Sequence, residues 1–242
     1  MNRAMTHLPE RILVKFSGQV LQHSCDEFFS QKAVERLVQT LDSIVQAGIG
    51  FGVVIGGGNL FRGIKSREMG LDRVVGDQVG MLATMMNALV VQDALQAKGI
   101  RAHIMAPHSP CPSIVRHNPL LAREYIARGE PVLFAGGTGN PFFTTDSGAI
   151  VRALEIEATL FVKATKVKGV YSSDPMVDPK ARYYEQLTCQ EMIASRLNVM
   201  DMTAVSLAME YGLPMFVYKF GEPLSLPNAL SSEGEGSYIV PE

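Results

Sequence analysis

Residues 131–150 read PVLFAGGTGNPFFTTDSGAI, and the stretch changes character twice. PVLFAGG (131–137) opens as a short apolar run of the length of a buried strand. Gly136, Gly137 and Gly139 then free the backbone. From Thr145 the pattern turns helical, and a helix is predicted over 145–157. Strand, glycine turn and helix make the unit of a parallel sheet with crossover helices. A plain surface turn needs glycine and polar side chains. It does not need Phe142 and Phe143 set between them.

The same alternation extends in both directions. ILVKF (12–16), FGVVIGG (51–57), AHIMA (102–106), ATLFVKA (158–164) and PMFVY (214–218) read as further buried strands. Val34, Leu37, Val38, Leu41, Ile44 and Val45 recur at helical spacing, and Gly48 stops that helix. A long helix is predicted from Asp77 to Lys98, with Val79, Leu82, Met86, Leu89 and Val90 on its apolar face. Further helices are predicted at 119–129, 188–197 and 203–211. The expected fold is α/β, with a mainly parallel sheet covered by helices on both sides.

The chain has 242 residues, 47% of them hydrophobic, which is enough for one large α/β domain. A net charge of −2 provides no global field to hold nucleic acid, so none is expected as a partner. Any anion site must gather its positive charge locally. Cys25, Cys111 and Cys189 have no metal spacing and no disulfide pattern, as in reduced, cytosolic proteins. No stretch is read as the ~20 apolar residues of a membrane span, and the N-terminus lacks a signal-like run. Met81, Met85 and Met86 are read as core packing.

Open parallel sheets bind ligands at the carboxyl ends of their strands. Lys15-Phe16-Ser17-Gly18, Gly56-Gly57-Gly58-Asn59 and the 135–147 stretch all fall there. Glycine lets backbone amides approach an anion, and a following helix start adds partial positive charge. Lys15 and Arg62 sit beside two of the turns. The chain has neither a GxxxxGK[ST] loop nor a GxGxxG spacing, so P-loop and dinucleotide readings fall away.

VKFSG (14–18), VVIGGGNLFRG (53–63), DRVVGDQVGMLAT (72–84), AGGTGNPFFTTDS (135–147), KATKVKGVYSSDP (163–175) and NVMDMTA (198–204) together resemble the bacterial uridylate (UMP) kinases of the amino-acid-kinase superfamily. The resemblance spans about residues 11–240 in the family's order. It implies a three-layer αβα sandwich forming a single domain over 1–242, with an acceptor-nucleotide half at about 11–150 and an ATP half at about 151–242. It implies transfer of the γ-phosphoryl group of ATP to UMP, giving UDP and ADP in pyrimidine nucleotide biosynthesis, with Mg²⁺ accompanying ATP. UTP as feedback inhibitor, a cytoplasmic location and a homohexamer built from dimers come with it.

The resemblance also distributes roles. Lys15, Arg62, Asp146 and Lys163 form the catalytic group, because phosphoryl transfer asks mainly for alignment and charge neutralisation. Ser17, Gly18, Gly58, Thr165, Tyr171 and Asp174 join Lys15 and Arg62 on ATP. Gly57, Asp77, Thr138, Gly139, Asn140, Phe143, Thr144 and Thr145 surround UMP, with Asp77 accepting the ribose hydroxyls. Asp77 and Asp146 also read as helix caps. Asp201 reads as a cap that braces the site, and no residue is assigned as a metal ligand.

The match departs at Gln19, where the family carries an acid, and through VLQHSCDEFF (20–29), PHSPCPSIVRHNP (107–119) and YKFGEPLSLPN (218–228). The first departure covers the family's GTP-activation region, and His103 and Glu130 lie where basic contacts are expected. Weak or absent GTP activation is therefore predicted. Two further classes stay open. One is a nucleotide-binding regulator with catalysis lost, against which Lys15, Arg62 and Asp146 argue. The other is a kinase of a different small anion such as carbamate, against which GNPFFTT argues.

Overall fold

Alternate residues of each central strand face opposite sides of the sheet, and both sides are apolar, so each must be covered. The computed structural model describes residues 8–24, 27–61, 68–221, 225–231 and 235–242. Its strands are β1 (Arg11–Phe16), β2 (Gly50–Ile55), β3 (His103–Ala106), β4 (Ile114–Arg116), β5 (Val132–Phe134), β6 (Leu160–Thr165), β7 (Val170–Tyr171), β8 (Tyr183–Tyr184), β9 (Gln186–Thr188), β10 (Met215–Lys219) and β11 (Ser237–Val240). Its α-helices are α1 (Gln31–Gln46), α2 (Arg73–Ala97), α3 (Pro119–Ala127), α4 (Thr145–Glu155), α5 (Cys189–Ala194), α6 (Met202–Glu210) and α7 (Leu226–Ala229). One nine-stranded sheet runs in the order β4-β3-β5-β2-β1-β6-β10-β11-β9. Every pairing in it is parallel except β10 with β11. β7 and β8 pair separately as a small antiparallel ribbon.

The sheet divides the core in two. Ile12, Val14 and Phe16 of β1 pack with α1, α2 and α7 on one face. Leu13 packs with α3, α4, α5 and α6 on the other. The expected three-layer αβα sandwich is therefore the observed one. Gly48 ends α1 as read, with φ +71° just past the C-cap Ala47.

Several expectations are corrected. α2 starts at Arg73 and is capped by Asp72, so Asp77 lies more than a turn inside rather than at the start. The cap of α4 is Thr144, whose hydroxyl accepts from the Asp146 and Ser147 amides, so Asp146 does not cap. The sequence reading omits β4, β9, β11 and the β7–β8 ribbon, because two- to four-residue strands carry too little periodicity.

The predicted apolar face of α2 is half right. Leu89 and Val90 pack against the core, but Leu82 and Met86 are 53% and 51% exposed, and the fully buried side holds Gly76, Ala83, Thr84, Met85, Asn87, Ala88, Val91 and Leu95. Close packing selects a small residue where α2 meets the glycine turn: a Cβ on Gly57 would lie 2.8 Å from that of Ala83. Of the three methionines read as core, only Met85 is buried. α2 also overturns the absence of a span-like segment. An 18-residue window in it has mean hydropathy 1.4, enough by length and composition to cross a membrane. Here it lies against the sheet as one outer layer.

Candidate active site

Lys15 of β1 and Lys163 of β6 are paired in register on adjacent strands, so both side chains rise from the same face. That face is otherwise apolar, and two buried ammoniums there need a counter-charge. Asp146, in the first turn of α4, supplies it. Its Oδ1 lies 2.7 Å from Lys15 Nζ, and its Oδ2 accepts from Lys163 Nζ. All three residues are buried. Burial pushes the Asp146 carboxyl up, but Lys15 and then Lys163 outweigh it and hold the group below its ordinary range. Burial pushes Lys163 below the usual lysine value; Asp146 opposes this and Lys15 reinforces it. Two lysines thus share one buried carboxylate at the carboxyl ends of β1 and β6, and Asp201 acts on Lys163 as a second, weaker counter-charge.

Beside this cluster a cavity of about 150 Å³ opens between α2 and the 137–145 loop. Gly57, Asp77, Thr138, Asn140, Phe143, Thr144 and Thr145 line it, as does Gly58 from the donor group. Gly139 of the predicted acceptor set is absent from the lining. It keeps φ +80°, and a Cβ there would meet Pro107 at 2.8 Å. Thr144 borders the cavity, but its hydroxyl donates to Asp201 Oδ2. Asp201 also accepts from Ser147 Oγ at 2.9 Å and caps α6 through the Ala204 amide. It thereby ties the start of α4 to the start of α6. Thr138 Oγ1 accepts from the Asn140 amide at 3.1 Å, which curls the loop into a tight turn.

The loop is tied to α2 at its rim. Asp77 Oδ2 accepts the Phe142 N–H at 2.8 Å and is bound by Arg73 Nε at the same distance. Arg73 also lies 5.6 Å from the centre of the Phe142 ring. Burial raises the Asp77 carboxyl, but the Phe142 amide and Arg73 together outweigh it and bring the group below its usual value. Phe142 has φ +71° and is 67% exposed, so its place in the loop is not explained by core packing.

The donor residues divide. Ser17 caps a single 3-10 turn, Gly18–Leu21, beside the lysines. Tyr171 and Asp174 line a separate cavity of about 390 Å³ together with Val167, Leu197 and Asn198. Thr165 does not join them. It borders a third cavity with Ser17, and its hydroxyl donates to Val167 O at 2.7 Å. Arg62 lies outside the described residues, as do Cys25 and Asp26 of the 20–29 departure. Glu130 accepts from His103 Nε2 at 2.7 Å and sits 3.6 Å from Arg101, and the His103 ring stacks on Tyr125.

Sequence reasoning missed Gly76, Gly80, Met81 and Thr84, which form the α2 wall of the first cavity. It also missed Arg152, which is buried on α4 and donates to Gly137 O at 3.3 Å while paired with Glu155 at 2.6 Å. A glycine-spaced, small-residue helix face was the available signal for the first group. Arginine within an otherwise apolar helix was the signal for the second.

No group of three or more His, Cys, Asp or Glu residues able to hold a metal occurs among the described residues. Asp146 is already occupied by two lysines.

Known proteins match this arrangement. The description "Amino acid kinase family" fits residues 10–219. The chain is 44% identical over 231 residues to the uridylate kinase of Marinobacter nauticus, covering 95% of each chain. It is 43% identical to that of Pseudomonas aeruginosa, covering 95% of this chain and 94% of the relative. Among solved structures, the UMP kinase from Bacillus anthracis superposes with a TM-score of 0.93 at 33% identity, covering 98% of both chains.

Proposed function

The chain belongs to the amino acid kinase family, and from that premise we infer that it is a uridylate kinase, transferring the γ-phosphoryl group of ATP to UMP. One observation carries the reading: Lys15 and Lys163 share the buried Asp146 carboxylate between the glycine turns, next to the cavity bearing Asp77 and Thr138. UMP attacks through its own phosphate, so two anions must be brought together. Repulsion between them in a site that excludes water amounts to several kcal/mol. Lys15 and Lys163 neutralise that charge as it moves toward the bridging oxygen. Asp146 holds both amino groups in place and opposes the loss of the Lys163 proton that burial favours. Asp77, Thr138, Asn140, Phe143 and Thr145 receive UMP. Ser17, Gly18, Gly58, Tyr171 and Asp174 receive ATP, and Arg62 joins them from the segment that follows GGGN. Thr165 stands with ATP by the resemblance alone.

Mg²⁺ would arrive on the phosphates of ATP, which together with water complete its shell of hard oxygen ligands. The ion would offset phosphate charge. The acceptor half (about 11–150) and donor half (about 151–242) would then act as one domain over 1–242.

UTP fits the same acceptor cavity and would compete with UMP there. Such a reaction in pyrimidine biosynthesis belongs in the cytoplasm. Exposed Val75, Leu82 and Met86 line one side of α2, and we assign that side to a second copy of the chain, as the unit of a hexamer. A measured monomer in solution would remove that assignment. GTP should change the rate by less than about twofold, an energy well under 1 kcal/mol; initial velocities at subsaturating ATP, with and without millimolar GTP, test it.

The deciding experiment is ADP formation across UMP, CMP, dTMP, AMP and carbamate. Turnover with UMP far above the rest is expected. Turnover with carbamate alone, or with none of the five, would overturn the reading.

A further inference from the structure

Asn87 sits in the middle of α2, fully buried, although asparagine is a poor residue for a helix interior and its amide is costly to bury unpaired. Its amide is fully used. Nδ2 donates to Gly56 O at 2.7 Å and to Asn59 Oδ1 at 2.8 Å, and Oδ1 accepts from Asn59 Nδ2 at 2.9 Å. The carbonyl of Gly56 fixes which way the amide points, since the flipped form would set oxygen against oxygen. Asn59 spends its other donor on Phe28 O at 2.9 Å.

What this pair grips explains its place. Gly56 and Asn59 bracket the acceptor turn, whose Gly57 and Gly58 line the UMP cavity. The donor turn lies directly against the same two residues. A Cβ on Gly18 would come within 2.3 Å of Gly56 O and 2.4 Å of Asn59 Oδ1. The two turns leave adjacent strands, with Phe16 opposite Ile55. The Asn87–Asn59 pair therefore sets the face on which one phosphate-binding turn rests against the other.

We propose that Asn87 is a positioning residue that fixes the separation of the donor and acceptor turns, and so the alignment of the two phosphates. The proposal rests on the uridylate kinase reading. Each turn keeps its own backbone amides when the pair is broken, so each nucleotide is still held. The distance between reacting atoms is what changes, and a displacement of about 1 Å costs on the order of 10²-fold in rate.

The test is Asn87→Ala, read by single-turnover phosphoryl transfer together with the dissociation constants of UMP and a non-hydrolysable ATP analogue. The expected result is a transfer rate lower by about 10- to 100-fold, with both constants within about threefold of wild type. Asn59→Ala and the double variant close the cycle, and the double should be little worse than either single because the residues act as one unit. If Asn87→Ala does not fold, Asn87→Ser carries the same measurements. An unchanged rate, or a loss confined to the two affinities, would overturn the proposal. Wild-type protein that does not phosphorylate UMP would instead bring down the function on which it rests.

Discussion

Asp146 lies beneath, and Asp77 at the edge of, the cavity beside the lysines, each with its carboxyl held below the ordinary range. They are held by different means. Asp146 lies between two lysine ammoniums on the floor, with its side chain 11% exposed. Asp77 lies on the rim, 23% exposed, held by one backbone amide and one exposed arginine. A buried charge that loses its partner cannot turn to water, whereas a rim charge can exchange partners at little cost. The floor is therefore suited to holding a fixed field, and the rim to receiving a ligand that takes over from the Phe142 amide.

The comparison breaks most easily at Lys15. Lys15→Ala should lower transfer by about 10²- to 10³-fold with the fold intact, since the lysine acts on charge developing during transfer. Turnover within threefold of wild type, with an unchanged melting curve, would show that the floor carries no catalytic field.

Asp146→Asn should cost both rate and stability. It leaves two buried ammoniums with no carboxylate between them, a loss of about 3–5 kcal/mol by analogy with other broken buried pairs. The sign with pH follows from the depressed carboxyl. Its stabilisation is complete above the unfolded aspartate range and is lost as pH falls through the lower folded value. Denaturant melts of wild type and variant should therefore differ widely near neutrality and converge in strong acid. A constant gap across that range would detach Asp146 from the lysines.

Asp77→Asn sharpens the other side. UMP affinity should fall by about tenfold and ATP affinity by less than twofold, because a charge-assisted acceptor is lost on the acceptor wall alone. Equal losses measured by calorimetry for the two nucleotides would give Asp77 a structural task. Arg73→Met should have the smallest effect, under about threefold on UMP affinity, as suits an exposed ion pair. A larger fall would mean that Arg73 itself meets the ligand.

Much of this was legible before any coordinates. Apolar runs of five to seven residues ending in glycine announce parallel strands and the edge at which ligands gather, and Lys15, Asp146 and Lys163 do meet there. The cavity beside them has seven of the eight residues read for the acceptor. The errors have a common cause. Helical spacing alone puts Leu82 and Met86 on the buried face of α2, but where the helix meets Gly57 it presents a small-residue face with Ala83, and Met85 rather than Met86 reaches Gly136. Thr84 and Asn87 stood in that small-residue face as polar exceptions, and their partners, Gly136 N–H and Gly56 O, lie 52 and 31 residues away. No local pattern reveals such partners. Thr165 shows the converse limit: its place on the ATP side rests on the resemblance, while its hydroxyl is engaged by Val167.

Phe142 gives the rim one further property. A bulky side chain at φ +71° occupies a sparsely populated backbone region, at a cost of order 1–3 kcal/mol. The Asp77 hydrogen bond helps to keep it there. A ligand that drew the Asp77 carboxylate away would free the Phe142 backbone to relax, and the strain so released would add to the favourable side of binding.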